Sequence, residues 1–195
     1  MCAQRGFEEL SIVLPERRRV CAFTIPNATV TCIDIAGFTS ACSTMSAQAV
    51  GDWVAEFYQN VDSAASMHHV RIAETRGDCC ICLAGVHLSK KHHGANGFEN
   101  CDHLGQTLAF VTELNGLMTH TQVRMGIATG EVTILMENKA YGLVSVQGDT
   151  MLHAMEMESL ARPGFAMMYG PPPQVYDLHK QVYSFVDITA PRRGV

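Results

Sequence analysis

Two strand-like runs with little more than Arg76-Gly77 between them constrain this chain most. Residues 70–75 and 78–85 are both apolar enough to be strands, and the glycine permits a tight reversal, so the pair must fold back as an antiparallel hairpin. The returning run opens on Asp78. An earlier run, residues 28–35, sets Val30, Cys32 and Asp34 on one face and Thr31, Ile33 and Ile35 on the other, and breaks at Gly37. Each run places a carboxylate where an apolar strand meets a glycine-containing turn. Such an aspartate is ordinarily a turn residue or helix cap. Two of them brought together would instead repel unless protonated or bridged by cations.

The remaining pattern surrounds these strands with helices. Residues 46–68 carry Val50, Trp53, Val54, Phe57 and Val61 at helical spacing, a stripe that reads as core packing. Residues 86–102 form a polar loop. Residues 103–119 form a second helix, with Leu104, Leu108, Val111, Leu114 and Met118 inward. Residues 123–129 are a strand ending at Gly130, 132–136 and 143–146 a hairpin, and 148–160 a third helix with Asp149 in its first turn. A strand at 165–168, a short helix at 171–179 and a strand at 182–188 complete the order. This sequence of elements contains a βαββαβ core of ferredoxin-like type, an α+β architecture with extra hairpin and C-terminal elements and with helices on one face. Residues 1–27, with Pro15 and Pro26, lack a sustained period and read as a lead-in or linker; 28–188 form one domain, and 189–195 a tail.

Composition excludes several classes. With 195 residues, 47% apolar and 17% charged, the chain can bury a full core. A net charge of −5 argues against a nucleic-acid binder. No apolar run is long enough to span a bilayer, so this segment is expected to be cytoplasmic, with any membrane tether supplied by sequence outside it. Eight cysteines and eleven methionines suit a reducing compartment. Cys79-x-x-Cys82, with His92 and His93 nearby, invites a zinc or redox reading. The competing reading is that Cys79, Cys80, Ile81 and Cys82 are consecutive residues of a buried strand.

Asp34 and Asp78 offer hard oxygen donors suited to Mg²⁺, which takes one or two carboxylates and completes its shell with phosphate oxygens and water. Backbone amides of residues 35–39 could cradle phosphates. Two metals between such acids would suit in-line displacement at phosphorus.

The words around these acids are specific. Ile33-Asp34-Ile35-Ala36-Gly37-Phe38-Thr39, Glu74-Thr75-Arg76-Gly77-Asp78, Arg124-Met125-Gly126-Ile127-Ala128-Thr129-Gly130 and Gly148-Asp149-Thr150 together resemble the class III nucleotidyl cyclase catalytic domain, in its order and spacing. The resemblance covers residues 28–188. It implies a head-to-tail dimer with sites at the interface, joining the ribose 3′-oxygen of a nucleoside triphosphate to its α-phosphate and releasing pyrophosphate. Asp34 and Asp78, with the Ile35 carbonyl, would hold two Mg²⁺ or Mn²⁺ ions per site; Gly37, Phe38 and Thr39 would line the phosphates. Glu74 stands where guanylyl cyclases have Glu and adenylyl cyclases Lys, and a carboxylate can accept from guanine N1 and N2. Ser145 stands where the family has Cys or Asp. These two favour GTP over ATP. The ordinary reading of Glu74 is a solvent-facing strand residue.

The family's next helix carries an Asn and an Arg that orient the ribose and stabilise charge on the α-phosphate. Here those positions are Leu152 and Glu156, so no transition-state residue is intact. His153 is one place off, about 100° around the helix. Leu135 and Asn138 replace common glycines. Three functions follow: a guanylyl-leaning cyclase domain completed by a partner chain; an inactive pseudo-cyclase that binds nucleotide or dimerises; or an intact homodimer using unfamiliar groups such as His153.

Overall fold

The computed structural model describes residues 10–13, 19–86, 102–137, 142–170, 174–180 and 182–185. The elements in order are β1 (Leu10–Val13), β2 (Arg19–Ile35), α1 (Phe38–Cys42), α2 (Ala47–Met67), β3 (Arg71–Arg76), β4 (Cys79–Ala84) and α3 (His103–Leu117). They continue with β5 (Val123–Glu137), β6 (Gly142–Gln147), α4 (Asp149–Leu160), β7 (Phe165–Met168), β8 (Gln174–Asp177) and β9 (Val182–Phe185). The strands form one sheet in the order β3-β4-β2-β5-β7-β8-β9, with β1 paired to β2 and β6 to β5. Only β5 and β7 pair in parallel among the described strands. The architecture is the expected mixed α+β sheet.

The helices divide between the two faces, and this corrects the expectation of one helical face. Ile33, Ile35, Met125 and Ile127 pack with Phe57 and Val61 of α2 and Phe110, Val111 and Leu114 of α3. Val30, Cys32, Ala128 and Ile134 pack with Met151 and Ala154 of α4. The two-residue period of β2 and β5 thus feeds two cores from the same strands. Each fully buried Phe or Leu contributes about 1.5–3 kcal/mol relative to exposure. Ser46 caps α2 by accepting the Ala49 N–H at 3.2 Å, and Asp102 caps α3 by accepting the Gly105 N–H at 2.8 Å.

Three local readings change. The strand expected at residues 28–35 begins at Arg19 as β2, because Val20–Ile25 continue the ladder with Val132–Glu137 of β5 and β1 pairs alongside. The register shifts between Ile25 and Ala28, where Pro26 has no N–H to give and a bulge absorbs it. Gly130 does not end β5, which runs on to Glu137. Residues 174–177 are a strand rather than a helix: Val175 and Tyr176 suit a pleated surface, and Asp177 ends the run by accepting the His179 and Lys180 N–H groups, both at 3.0 Å.

Candidate active site

Asp34 sits at the end of β2 between two strands, with Cys79 of β4 as its cross-strand partner on one side and Arg124 of β5 on the other. Asp78 is the last residue of the turn between β3 and β4, and its carbonyl accepts the Ile35 N–H at 3.3 Å. The hairpin therefore delivers Asp78 beside Asp34. Burial, and then the charge of Asp34, push the Asp78 carboxyl above its ordinary range.

Arg124 links the acids to α4. It is ion-paired and hydrogen-bonded to Asp34, and its Nη2 lies 3.0 Å from Glu158 Oε1. The Glu158 contact is an ion pair without hydrogen-bond alignment: Glu158 Oε1 and Arg124 Nε are both buried without a hydrogen-bond partner. Burial raises the Glu158 carboxyl, against the pull of Arg124. The hydrogen bond to Asp34 raises Arg124 further, so it stays cationic.

Two carboxylates, Asp34 and Glu158, thus meet one guanidinium, and Asp78 stands beside Asp34. The arrangement fits a hard divalent cation, because positive charge between Asp34 and Asp78 would relieve a repulsion already felt by Asp78. Asp34, Asp78 and the backbone at Ile35 would hold it. Among the described residues no group of three or more His, Cys, Asp and Glu side chains is arranged to hold a metal. The zinc reading of Cys79-x-x-Cys82 is opposed by geometry: Cys79 lies with the α4 core and Cys82 with the α2–α3 core, as in a buried strand. His92 and His93 lie outside the described residues.

Gly37 takes φ +75, a left-handed conformation that a side chain would strain, and so turns β2 into α1. The turn is held by the Ala36 N–H donating to Gln122 O at 2.8 Å. Phe38 packs against Trp53 with ring centroids 5.3 Å apart, and Trp53 Nε1 donates to Thr121 Oγ1 at 2.7 Å. Thr39 is exposed.

The two base-reading candidates come together across β3 and β6. Glu74 is not a solvent-facing residue: its side chain is 8% exposed. Its Oε1 accepts the Val146 N–H at 2.6 Å, and its Oε2 accepts Arg76 Nε at 2.8 Å within an ion pair. Ser145 precedes Val146, and its Oγ accepts from Gln147 Nε2 at 2.6 Å. Leu152 and Glu156 face outward on α4, Leu152 being 62% exposed beside an exposed Met155. The His153 ring stacks on Tyr169 with centroids 3.7 Å apart and is held there.

Sequence reading assigned no role to Arg124 or Glu158. The signal for Arg124 was present: antiparallel pairing of the two strands sets it opposite Asp34. Glu158 carried no comparable signal, since its placement depends on how α4 lies on the sheet.

Residues 20–185 match the family model of the adenylate and guanylate cyclase catalytic domain. The chain belongs to this family. Among curated relatives, the cyclase domain is 28% identical over 178 residues to the germination-specific adenylate cyclase of Dictyostelium discoideum, covering 91% of this chain and 20% of the relative. It is 27% identical over 157 residues to the guanylate cyclase soluble subunit beta-2 of Rattus norvegicus, covering 80% and 23%. It therefore spans about a fifth of the length of those two relatives. In fold it is similar to the catalytic core of a rhodopsin-guanylyl cyclase with converted specificity in complex with ATPαS, at TM-score 0.65 and 21% identity over 75% of this chain and 79% of that one. It is also similar to the guanylate cyclase domain of RhGC from Catenaria anguillulae in complex with GTP, at TM-score 0.63 and 21% identity over 74% and 79%. No helix among the described residues is long and apolar enough to cross a membrane.

Proposed function

We propose that this cyclase domain carries the metal-binding half of a nucleotide cyclase site, favours GTP, and forms cyclic GMP when a partner chain supplies the ribose- and phosphate-stabilising residues. The observation that carries the reading is a contrast within one chain. Asp34, Asp78 and Arg124 are assembled on the sheet, while Leu152 and Glu156 stand on the outer face of α4 with nothing to offer a reacting phosphate.

Two Mg²⁺ or Mn²⁺ ions held by Asp34, Asp78 and the Ile35 carbonyl would neutralise the triphosphate and favour ionisation of the attacking 3′-hydroxyl. Arg124 holds the Asp34 carboxylate in place through its ion pair and adds a cation beside the triphosphate's path. Residues 37–39 open α1 and offer backbone N–H groups to the phosphates. Glu74 accepts from guanine N1 and N2, its carboxylate held in place by Val146 and Arg76; Ser145, which can donate or accept, completes the base pocket. Leu152 cannot orient a ribose, and Glu156 repels phosphate. Loss of such an arginine costs about 10³-fold or more in rate. A heterodimer in which the other chain carries Asn and Arg would hold one complete site.

The second reading is an inactive pseudo-cyclase that binds nucleotide or only dimerises. It is favoured by Glu74, whose two oxygens are both already engaged within the chain. The two readings separate by measuring cyclic GMP and cyclic AMP with Mn²⁺, for the domain alone and mixed with a cyclase domain bearing Asn and Arg. Product from the mixture that vanishes with Asp34→Ala supports the first. Bound nucleotide with no product in any mixture supports the second. Vigorous turnover by the domain alone defeats both and returns attention to His153.

A further inference from the structure

We propose that Cys32 and Cys79 form a covalent modification site, a thiol pair that a small neutral disulfide oxidises to a cross-strand disulfide beside Asp34 and Asp78. The two sulfurs lie 3.6 Å apart. The register explains why: Cys32 is opposite Ile81 and Asp34 opposite Cys79, so the two cysteines are diagonal neighbours on one face of the β2–β4 pair. Their exposure differs usefully. Cys79 is only partly buried and meets the reagent, while Cys32 is 1% exposed and waits behind it. A second pair supplies an internal contrast. Cys80 and Cys82 have sulfurs 3.8 Å apart, but both are wholly buried under α2 and α3, so proximity is the same and access is absent.

The chemistry closes without a cofactor. The Cys79 sulfur attacks one sulfur of 2-hydroxyethyl disulfide, forming a mixed disulfide and releasing one 2-mercaptoethanol. The Cys32 sulfur then attacks the Cys79 sulfur and expels the second. The protein loses two hydrogens and two electrons, and the reagent is reduced to two thiols. Closing the bond brings the sulfurs from 3.6 Å to about 2.05 Å. That movement pulls on β4 at the residue after Asp78 and on β2 two residues before Asp34. The spacing of the two acids therefore changes with the thiol state. This last consequence rests on reading Asp34 and Asp78 as metal ligands; the disulfide itself does not.

The test uses the folded chain, reduced and then exposed to 2-hydroxyethyl disulfide, with alkylation under denaturing conditions and peptide mapping by mass. The expected result is a Cys32–Cys79 link formed while Cys80 and Cys82 remain alkylatable. Cys32→Ser should stop at a stable mixed disulfide on Cys79, and Cys79→Ser should leave Cys32 a free thiol; alanine variants repeat the test if a serine variant misfolds. Mn²⁺ affinity, read by the spectroscopic signal of the free ion, should fall at least about tenfold on oxidation, the size of effect seen when groups supporting metal ligands are disturbed, and recover with dithiothreitol. A Cys79 that stays free after other accessible cysteines are consumed, or that pairs with a cysteine other than Cys32, overturns the site. A correctly mapped disulfide with unchanged Mn²⁺ affinity overturns its coupling to the acids. Reduced protein that binds no Mn²⁺ overturns that coupling together with the metal reading, while the disulfide map still decides the site.

Discussion

Gly126 of β5 lies directly under Glu158 of α4: a Cβ on the glycine would stand 2.1 Å from the Glu158 backbone nitrogen and 2.1 Å from the Ala154 carbonyl oxygen. Backbone against backbone cannot yield as a side-chain tip would. This approach sets how deeply α4 seats on the sheet, and with it the reach of Glu158 to Arg124. Gly126→Ala should cost about 3 kcal/mol, at the upper end of overpacking penalties, measured by urea unfolding. A variant as stable as the parent would show that α4 slides freely and that the Arg124–Glu158 contact is not held by this packing.

Asp78 and Glu158 both have raised carboxyl pKa values, with burial the first cause in each. A carboxyl whose folded pKa exceeds its unfolded one favours folding when protonated. The contribution is full below the ordinary carboxylate range and is lost as pH rises through the raised values. The metal-free domain should therefore lose stability as pH climbs through that window, and Asp78→Asn should raise its melting temperature at neutral pH. The same variant should abolish the melting-temperature gain on adding Mn²⁺. Metal affinity runs the other way with pH, falling as Asp78 protonates. Thermal scans across pH, with and without Mn²⁺, check all of these.

Glu74→Ala leaves the buried Val146 N–H without its acceptor, a loss of about 1–3 kcal/mol. If Glu74 reads guanine, the substitution also removes the preference for GTP over ATP in competition binding. Lost stability with unchanged preference would make Glu74 a purely structural brace between β3 and β6.

Leu152→Asn combined with Glu156→Arg restores the missing groups on an exposed face. Because both positions are exposed, stability should move by no more than about 0.5 kcal/mol in either direction. Cyclic GMP formation by the homodimer with Mn²⁺ should rise at least about 10³-fold. No gain, with nucleotide still bound, would place the defect elsewhere, the first suspect being the Arg76–Glu74 pair.

His103 is buried in a small polar knot: its Nδ1 lies 2.7 Å from Thr29 Oγ1, which also meets Thr129 Oγ1 at 2.9 Å, and its ring packs on Gly85. His103→Leu should cost about 0.5–1.5 kcal/mol by removing one of the two hydrogen bonds of the Thr29 hydroxyl, read by urea unfolding. Thr29→Val alongside it should recover part of that loss, since removing both partners is less costly than removing one.

Much of the fold was legible because it rests on local periods. The two-residue alternation of residues 28–35, the helical stripe ending in Phe57 and Val61, and the Arg76-Gly77 reversal all depend on neighbours in the chain. The misreadings share another cause. Residues 19–25 lack a pattern of their own and become strand because β5 offers them a ladder. Residues 174–177 become strand because β7 and β9 pair with them on both sides. The helical face was misjudged because β2 and β5 are apolar on both sides, and a pattern cannot say which helix takes which.

By itself the sequence determined the family, the hairpin that carries Asp78, the acid at the end of the first strand, and the substitutions at Leu152 and Glu156. These are matters of residue type and order, which survive without coordinates. Tertiary structure alone decided what those acids touch. Arg124 reaches Asp34 across ninety positions of chain, and Glu74 reaches Val146 across 72. Such contacts follow from strand register and from the depth at which α4 seats over Gly126, and both are set by packing between elements that no local pattern encodes.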